Sequence, residues 1–224
     1  LKVISFGIKS QKSDVKFLNI KREGKNYKIN IKINNFKKFF LISNDFQNNI
    51  YNVLAALTVM SIYIDIFKLN KNIFLNFKIP MGRGDFSKVK INNKYINLID
   101  ESYNSNPLSL KSALLNYDKI SSKKAKKFLL LGDMLELGNH SRKLHNSIIP
   151  IINKTNIDKV YVKGKDVSGI FNKISKSKKG KILNNKSQII ELIKKDLDNN
   201  DYLMIKASNA TGFNKIIKEI KRLN

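Results

Sequence analysis

From about residue 80 onward the chain alternates short apolar runs with segments of helical periodicity, and this alternation limits the possible fold more than any other feature. The runs are FLLL (128–131), VYV (160–162) and YLMI (202–205). An unbroken apolar run is typical of a parallel strand that is covered on both faces. Strands that alternate with helices therefore predict an α/β domain with a mostly parallel sheet. In such sheets, ligands bind beyond the carboxyl ends of the strands.

Helices and one hairpin are predicted around these runs. Apolar residues at intervals of three and four predict helices that begin near Pro107, near Ser141 and after Ser187, and a last helix from Phe213. Their predicted core positions are, in chain order, Leu108, Leu110, Leu114 and Leu115; Leu144, Ile148, Ile151 and Ile152; Ile190, Ile193 and Leu197; and Ile216, Ile217, Ile220 and Leu223. Before them, KVKINNKYINLI reads as two strands joined by a turn at Asn92 and Asn93.

Residues 1–79 show a different pattern. LKVISFG and NYKINIKI predict strands, and a long helix is predicted from about Asn48 to Lys68. Asn70–Pro80 reads as a linker, so we expect two domains, 1–79 and 80–224. Because LKVISFG reads as the middle of a strand, we also expect the chain to begin inside a longer protein.

The composition excludes some kinds of site. The 224 residues include no cysteine, so neither a disulfide nor a thiolate metal site is possible, which fits a reducing compartment such as the cytoplasm. The longest apolar stretch starts at Tyr51 and is interrupted by Asn52 and Asp65, so a buried helix is expected and no membrane partner. The net charge of +26 would suit nucleic acid, but the lysines are spread from end to end without an RNA-binding aromatic motif, and we expect no nucleic-acid partner.

Three polar strings follow predicted strands and precede predicted helices. They are DESYNSNP (100–107), GDMLELGNHSRKLH (132–145) and IKASNATG (205–212). Asn106 is a natural N-cap and Pro107 suits the first helical position, and a helix start is a ready anion site. His140 and His145 would diverge on a helix, so a shared metal is not expected.

Arg83 stands between glycines in MGRGDF. The chain has only four arginines (Arg22, Arg83, Arg142 and Arg222) among 43 basic residues. A planar guanidinium grips phosphate or carboxylate in a way that a lysine ammonium does not. Arg83 is therefore a candidate anion-binding residue, although the phosphate-binding pattern G-x-x-x-x-G-K-[ST] is absent from this sequence.

Taken together, these strings resemble the Mur ligase family. They are GR (82–83), LIDESYNSNP (98–107), LLLGDMLELGNHSRKLH (129–145) and Lys-x-Ser (206–208), in this order. NNIYNVLAA (48–56) resembles the start of the long helix of the family's central domain, and SFG with Asp14 and Val15 resembles an earlier strand there. The resemblance covers essentially the whole chain. Within the family, the strings after Ile99 and Leu131 are typical of members that add D-Ala-D-Ala.

The resemblance implies a fold and an activity. Residues 1–79 would be the end of the central ATP-binding domain, without its P-loop, and residues 80–224 a C-terminal Rossmann-like α/β domain with a mostly parallel sheet. The family's activity is ATP-dependent amide bond formation through an acyl phosphate, here joining UDP-N-acetylmuramoyl-tripeptide to D-Ala-D-Ala. The ligands of Mg²⁺ would lie upstream, in the N-terminal half of the same ligase. We therefore expect this part to hold no metal and to be inactive alone, within a monomeric cytoplasmic enzyme.

The resemblance also implies roles for individual residues. Asn49 and Asn52 would flank the adenine of ATP, Arg83 would hold the transferring phosphate, and Glu101 would accept the ribose hydroxyls. Substrate-binding roles are implied for eight further residues: Tyr103, Asn104, Asn106, Asp133, Glu136, His145, Lys206 and Ser208. The chain departs from the family's usual residues at five positions: Phe46, Asn48, Glu101, Ala207 and Asn209.

Two alternatives stay open at this point. The first is a Mur-type or folylpolyglutamate-type ligase that uses another acceptor amine, which would share the fold and the mechanism. The second is a basic, non-enzymatic nucleic-acid-binding protein, for which salt-sensitive binding would be the expected behaviour. The identity of the third residue of the tripeptide does not follow from this sequence.

Overall fold

The structure, a computed structural model, describes residues 3–10, 12–43, 49–77, 79–121 and 124–222. The chain divides into two compact units, Leu1–Ile79 and Pro80–Asn224. Each unit has its own hydrophobic core, and each is described by itself.

The first unit combines a sheet with one long helix. The sheet consists of β1 (Phe6–Gly7), β2 (Val15–Glu23), β3 (Asn26–Ile33) and β4 (Phe36–Ser43), in this spatial order. Strand β1 is parallel to β2, and the other neighbours are antiparallel. Helix α1 (Ile50–Tyr63) contributes Val53, Leu54 and Leu57 to the same core as Ile29 and Phe40 of the sheet.

Two sequence predictions for this unit were wrong in extent. Among the described residues of LKVISFG, 3–7, a strand forms at Phe6–Gly7 alone, and the longer strands β2 and β4 were not predicted. In FKKFFLIS, adjacent apolar residues conceal the alternation of the strand. The long helix ends at Tyr63, before the predicted Lys68, because Ile64 is extended and the Asp65 carboxylate accepts a hydrogen bond from Phe67 N. That bond begins a separate 3₁₀ turn over Ile66–Lys68.

The outward face of this sheet carries lysines in cross-strand pairs. Lys21 lies directly opposite Lys28, and Lys32 directly opposite Lys37. Because the alternate residues of β3 are buried, these lysines point away from the core. Like charges directly opposite one another destabilise a sheet. We call these four residues the basic sheet face.

The second unit is built on a mostly parallel sheet. Its strands are β5 (Asp85–Ile91), β6 (Lys94–Glu101), β7 (Lys127–Gly132), β8 (Lys159–Lys163), β9 (Lys179–Ile182) and β10 (Tyr202–Lys206). Their spatial order is β5-β6-β10-β7-β8-β9, and only β5 runs antiparallel to its neighbour. The structure confirms the predicted α/β class and the predicted hairpin, whose turn places Asn92 at a positive φ of 54°.

Helices cover both faces of this sheet. They are α2 (Pro107–Asp118), α3 (Ser141–Asn146), α4 (Ile149–Lys154), α5 (Lys165–Phe171), α6 (Lys186–Asp196) and α7 (Phe213–Arg222). Phe128 and Leu130 of β7 belong to the core that α6 and α7 cover, while Leu129 and Leu131 belong to the core under α2, α4 and α5. Burial on both faces explains the unbroken apolar run of this strand.

Several predicted details of the second unit needed correction. The helix from Ser141 is two short helices, and Pro150, which lacks an N–H, stands in the first turn of the second. Leu108 of α2 is 80% exposed and Leu115 is also exposed, since Ala113 and Tyr117 take the core side instead. Helix α5 and strand β9 were not predicted. The predicted core position Leu223 lies outside the described residues.

The structure provides no candidate for a membrane-spanning helix among the residues that it describes.

Candidate functional site

Three strand ends meet at one edge of the sheet in the second unit. Strand β10 lies between β6 and β7, so that Glu101, Lys206 and Leu131 are neighbours across the sheet. The three polar strings that follow these strands are therefore brought together. This is the edge at which parallel α/β sheets bind ligands.

Lys206, the last residue of β10, is buried at the centre of this edge, with 1% of its side chain exposed. Its ammonium donates to the carbonyl oxygens of Glu101 (3.4 Å) and Asn104, and lies 3.6 Å from the Glu101 carboxylate. Burial lowers the pKa of Lys206, partly offset by Glu101, and burial likewise raises the pKa of Glu101, partly offset by Lys206. The amine ties β10 to the loop after β6 and keeps no open face for a ligand.

The loop before β5 crosses the same edge. Gly82 O accepts from Tyr103 N (2.9 Å), and Gly84 N donates to Asp100 O (2.7 Å). Gly82 has a φ of +78°, and a Cβ there would lie 2.8 Å from Tyr103 N, so only glycine fits. Arg83 is exposed, and its guanidinium carbon lies 4.3 Å from the centre of the Tyr103 ring. The two glycines thus hold Arg83 over Tyr103 with its cation open to solvent.

Asp100 is buried beneath this loop. Its Oδ1 accepts hydrogen bonds from Ser102 N (3.0 Å) and Ser102 Oγ (2.7 Å). Burial raises the pKa of the carboxyl above its usual range, and the two bonds from Ser102 oppose the shift in part. Asp100 and Ser102 therefore shape the turn that presents Tyr103.

The start of α2 follows this turn. Asn106 Oδ1 accepts from Ser109 N (2.9 Å), and Ser109 Oγ in turn accepts from Asn106 N (3.0 Å), which confirms the predicted N-cap. Asn104 and Tyr103 are exposed beside it. Ser105 is buried, and its Oγ has no hydrogen-bond partner among the described atoms.

Asp133, the first residue after β7, binds the N-terminus of another helix. Its two carboxylate oxygens accept from Lys165 N and Val167 N, each at 2.9 Å, at the first turn of α5. Gly164 packs against it so closely that a Cβ would lie 2.5 Å from the carboxylate. Both oxygens of Asp133 are thus engaged in fixing α5, a helix that the sequence did not reveal.

His145 and Ser208 bind backbone groups of the loop after β7. His145 is 1% exposed, and its Nε2 accepts from Met134 N (3.1 Å). Its Nδ1 therefore carries the proton and donates to Ser141 O (2.9 Å). Ser208 Oγ accepts from Leu135 N (2.9 Å) and donates to Ser105 O (3.3 Å). Ser208 thus links the loop after β7 to the loop after β6.

Glu136 is the next residue of that loop and differs from its neighbours. Its side chain is exposed, and it makes no hydrogen bond or ion pair with any residue that the structure describes. Its φ is +62°, in the left-handed region.

The two adenine candidates belong to the first unit. Asn49 precedes α1 without capping it, and Asn52 Nδ2 donates to Asn49 Oδ1 (3.0 Å). The two departures from the family pattern in this region, Phe46 and Asn48, lie outside the described residues.

The site residues thus fall into two groups. Arg83, Tyr103, Asn104 and Glu136 are exposed, whereas Lys206, Ser208 and His145 are buried and bonded to loop backbone. An exposed guanidinium over an aromatic ring, beside a helix start, can bind an anion such as phosphate. Within the described ranges, His, Asp and Glu residues form no group of three that could hold a metal ion.

Sequence reasoning missed several residues that build this edge. Gly82 and Gly84 allow the close crossing over Tyr103 and Glu101, and the pair of glycines around Arg83 was the available signal. Asp166 accepts from Ser141 Oγ (2.5 Å), which fixes the start of α3. No sequence signal marked Asp166, because its partner lies 25 positions away.

Comparison with known proteins agrees with this architecture. The family described as "Mur ligase, glutamate ligase domain" matches residues 86–209, more than half of the chain. A UDP-N-acetylmuramoyl-tripeptide–D-alanyl-D-alanine ligase from Rickettsia prowazekii (strain Madrid E) is 29% identical over 96% of this chain. The ligase of the same name from Buchnera aphidicola subsp. Baizongia pistaciae is 28% identical over 98% of the chain. The match covers 46% of each relative, so the chain spans about half of their length.

Solved structures show the same fold. MurF from Acinetobacter baumannii superposes with a TM-score of 0.76 at 18% identity, covering 98% of this chain and 47% of that one. MurF ligase from Thermotoga maritima, solved in complex with ADP, gives a TM-score of 0.71 at 20% identity, covering 97% and 48%. Fold, strand-end architecture and the family match agree: this chain belongs to the Mur ligase family.

Proposed function

We propose that the chain is the C-terminal half of an ATP-dependent ligase that joins D-Ala-D-Ala to UDP-N-acetylmuramoyl-tripeptide during peptidoglycan precursor synthesis. The observation that carries the proposal is the grouping of exposed Arg83, Tyr103 and Glu136 on adjoining loops at one sheet edge. The names of the relatives from Rickettsia and Buchnera support this choice of substrates. Because the substrate is a nucleotide-linked precursor, we place the enzyme in the cytoplasm.

The reaction needs positioning and neutralisation of charge. The γ-phosphoryl group of ATP passes to the terminal carboxylate of the tripeptide, and ADP leaves. The ammonium group of the acceptor loses a proton to solvent, and the neutral amine nitrogen attacks the acyl carbon. The C–O bond to phosphate then breaks, and the nitrogen gives up a second proton as the amide forms. Such chemistry is governed by alignment and by cations at the phosphoryl oxygens. Arg83 supplies a planar cation that is open to solvent, which fits a phosphate oxygen pair.

The remaining nucleotide contacts are assigned as follows. Glu101, whose side chain is 25% exposed beside Lys206, accepts the ribose hydroxyls. Asn49 and Asn52 flank the adenine. We place the Mg²⁺ ligands and the phosphate-binding loop in the half of the ligase that the relatives have beyond the matched region, and we expect the 224-residue chain alone to be inactive.

The test is ligation by the complete open reading frame that contains this chain. Purified protein is given the UDP-linked tripeptide, ATP, Mg²⁺ and D-Ala-D-Ala, and phosphate release and the mass of the product are measured. We expect phosphate release that depends on the dipeptide and a product heavier by one dipeptide residue. If a single amino acid drives phosphate release equally well, D-Ala-D-Ala is not the specific acceptor. If no amine drives phosphate release, the ligase assignment is overturned.

A second candidate is binding of a polyanion by the first unit. The basic sheet face favours it, since Lys21, Lys28, Lys32 and Lys37 concentrate like charge at a cost in stability. Phe39 lies among them, with Lys28 Nζ 4.2 Å from its ring centre. Binding of a single-stranded oligonucleotide at rising salt tests it. Replacement of Lys28, Lys32 and Lys37 by glutamine should weaken binding more than replacement of Lys111, Lys143 and Lys154.

A further inference from the structure

The backbone of Glu136 is unusual among the described residues. Four of the non-glycine residues that the structure describes have a positive φ: Asn34, Asn92, Asn200 and Glu136. Asparagine tolerates the left-handed region because its short amide can bond to nearby backbone, whereas glutamate gains no such relief. Among the described residues other than glycine, the chain therefore uses asparagine at three of these positions and a longer acidic side chain at the fourth.

The strained conformation is imposed by buried partners. Met134 N is bound by His145 Nε2 at 3.1 Å, and Leu135 N by Ser208 Oγ at 2.9 Å. Asp133 is fixed by the first turn of α5. Three elements distant in sequence thus set the path of the chain up to Glu136. A residue is kept in an unfavourable backbone region only when its surroundings determine it, and such residues concentrate at functional sites.

The same contacts join the loop of Glu136 to the loop that carries other exposed site residues. Ser208 Oγ, which holds Leu135, also donates to Ser105 O in the loop that carries Tyr103 and Asn104. The carboxylate of Glu136 is exposed and pairs with no described residue. The edge therefore presents the exposed guanidinium of Arg83 and the exposed carboxylate of Glu136.

We propose that the Glu136 carboxylate binds the ammonium group of the acceptor amine. This assignment rests on the proposed function and names the group that one residue recognises. An α-amino group with an ordinary pKa near 8 arrives at neutral pH mostly as a cation. The exposed cation of Arg83 would repel that ammonium group, so a carboxylate is required to hold it at this edge. Glu136 supplies the carboxylate, and its strained backbone is the cost of presenting it.

The first experiment measures the strain. In the complete ligase, Glu136→Gly removes the Cβ and should raise the midpoint of thermal unfolding by about 2–4 °C. Asn34→Gly, at another left-handed position, is the matched control and should change the midpoint less. A lower midpoint for Glu136→Gly than for the wild type would overturn the proposal, because the conformation would then not be strained.

The second experiment measures recognition of the amine. Glu136→Gln, which keeps the size of the side chain, should raise KM for the dipeptide about tenfold or more and leave KM for ATP unchanged. Glu136→Asp should recover part of the loss. An unchanged KM for the dipeptide in Glu136→Gln overturns the proposal while the ligase assignment stands.

A panel of acceptor amines separates the two proposals. If the wild type rejects D-Ala-D-Ala and uses another amine that Glu136→Gln uses poorly, the acceptor assignment fails and the role of Glu136 stands. If the wild type uses no amine at all, both proposals fail.

Discussion

The ammonium of Lys206 lies 3.6 Å from the carboxylate of Glu101, with 1% of the lysine side chain exposed. The same ammonium binds the carbonyl oxygens of Glu101 and Asn104, more than a hundred positions earlier in the chain. Burial disfavours the charged form of each group, so it lowers the pKa of Lys206 and raises the pKa of Glu101. Lys206 is therefore placed to hold the strand-end loop in position, and the pair is sensitive to the loss of either partner.

Replacing Lys206 by methionine should lower the free energy of unfolding of the second unit by about 2–5 kcal/mol. The reason is that the Glu101 carboxylate and the carbonyl groups of Glu101 and Asn104 lose their partner. Urea denaturation measures the change. The double replacement Lys206→Met with Glu101→Gln should recover part of the loss, because the unpaired carboxylate is then removed. If the loss of unfolding free energy in the double variant equalled the sum of the losses in the two single variants, the two side chains would not interact.

Asp100→Asn should change the pH dependence of stability. Burial raises the pKa of Asp100 above the ordinary 3.8, so the folded chain binds this proton more tightly than the unfolded chain. As the pH rises through the folded pKa, the stability contributed by that proton is lost. Asparagine keeps the single Oδ1 acceptor that Ser102 uses twice and carries no charge. The variant should therefore gain stability relative to the wild type from acid to neutral pH.

Urea denaturation of both proteins at a series of pH values measures this difference. A difference that stays constant, or that shifts against the variant as the pH rises, would contradict the prediction.

Arg83→Lys in the complete ligase should lower kcat/KM for ligation by about tenfold or more. Lysine keeps the charge but loses the planar pair of donors and the stacking on Tyr103. Steady-state phosphate release measures the effect. Arg142→Lys, at an exposed position of α3, is the matched control and should leave the rate unchanged. Equal rates for the wild type and Arg83→Lys would remove Arg83 from the phosphate role.

Lys37→Glu should stabilise the first unit by about 0.5 kcal/mol at low salt, because it turns the like-charge pair with Lys32 into an opposite-charge pair. Screening should reduce the gain at high salt. Lys25→Glu, in the exposed turn between β2 and β3, changes the net charge equally without an opposing lysine. Urea denaturation at two salt concentrations compares them. An equal gain in both variants would mean that overall charge, and not the cross-strand pair, sets the effect.

The fold of the second unit was largely predictable from local patterns. Its three central apolar runs, the hairpin at Asn92 and the N-cap at Asn106 all express preferences that act over a few residues. The missed elements β9 and α5 are short and carry no strong periodicity. Asp133 binds the first turn of helix α5, and that contact spans more than thirty positions.

The candidate site, like the fold, was predictable only in part. The sequence indicated which polar strings follow the strands, and the parallel sheet necessarily brings such strings to one edge. It did not indicate which side chains would face outward. Lys206 and His145 have the chemistry of ligand-binding residues, yet both are buried and hold backbone groups. Glu136 resembled an ordinary loop carboxylate, and its positive φ emerged only from the structure.

The sequence by itself determined the α/β class, the strand ends at which the candidate site is predicted and the family resemblance, because apolar periodicity, capping and turn residues act over short distances. Tertiary structure decided the burial and the partners of each polar side chain. The bonds from Lys206 to the loop at Asn104, and from Ser208 to Ser105, join residues about a hundred positions apart. A polar side chain is used for support or for binding according to what surrounds it, and those surroundings exist only once the strands have assembled.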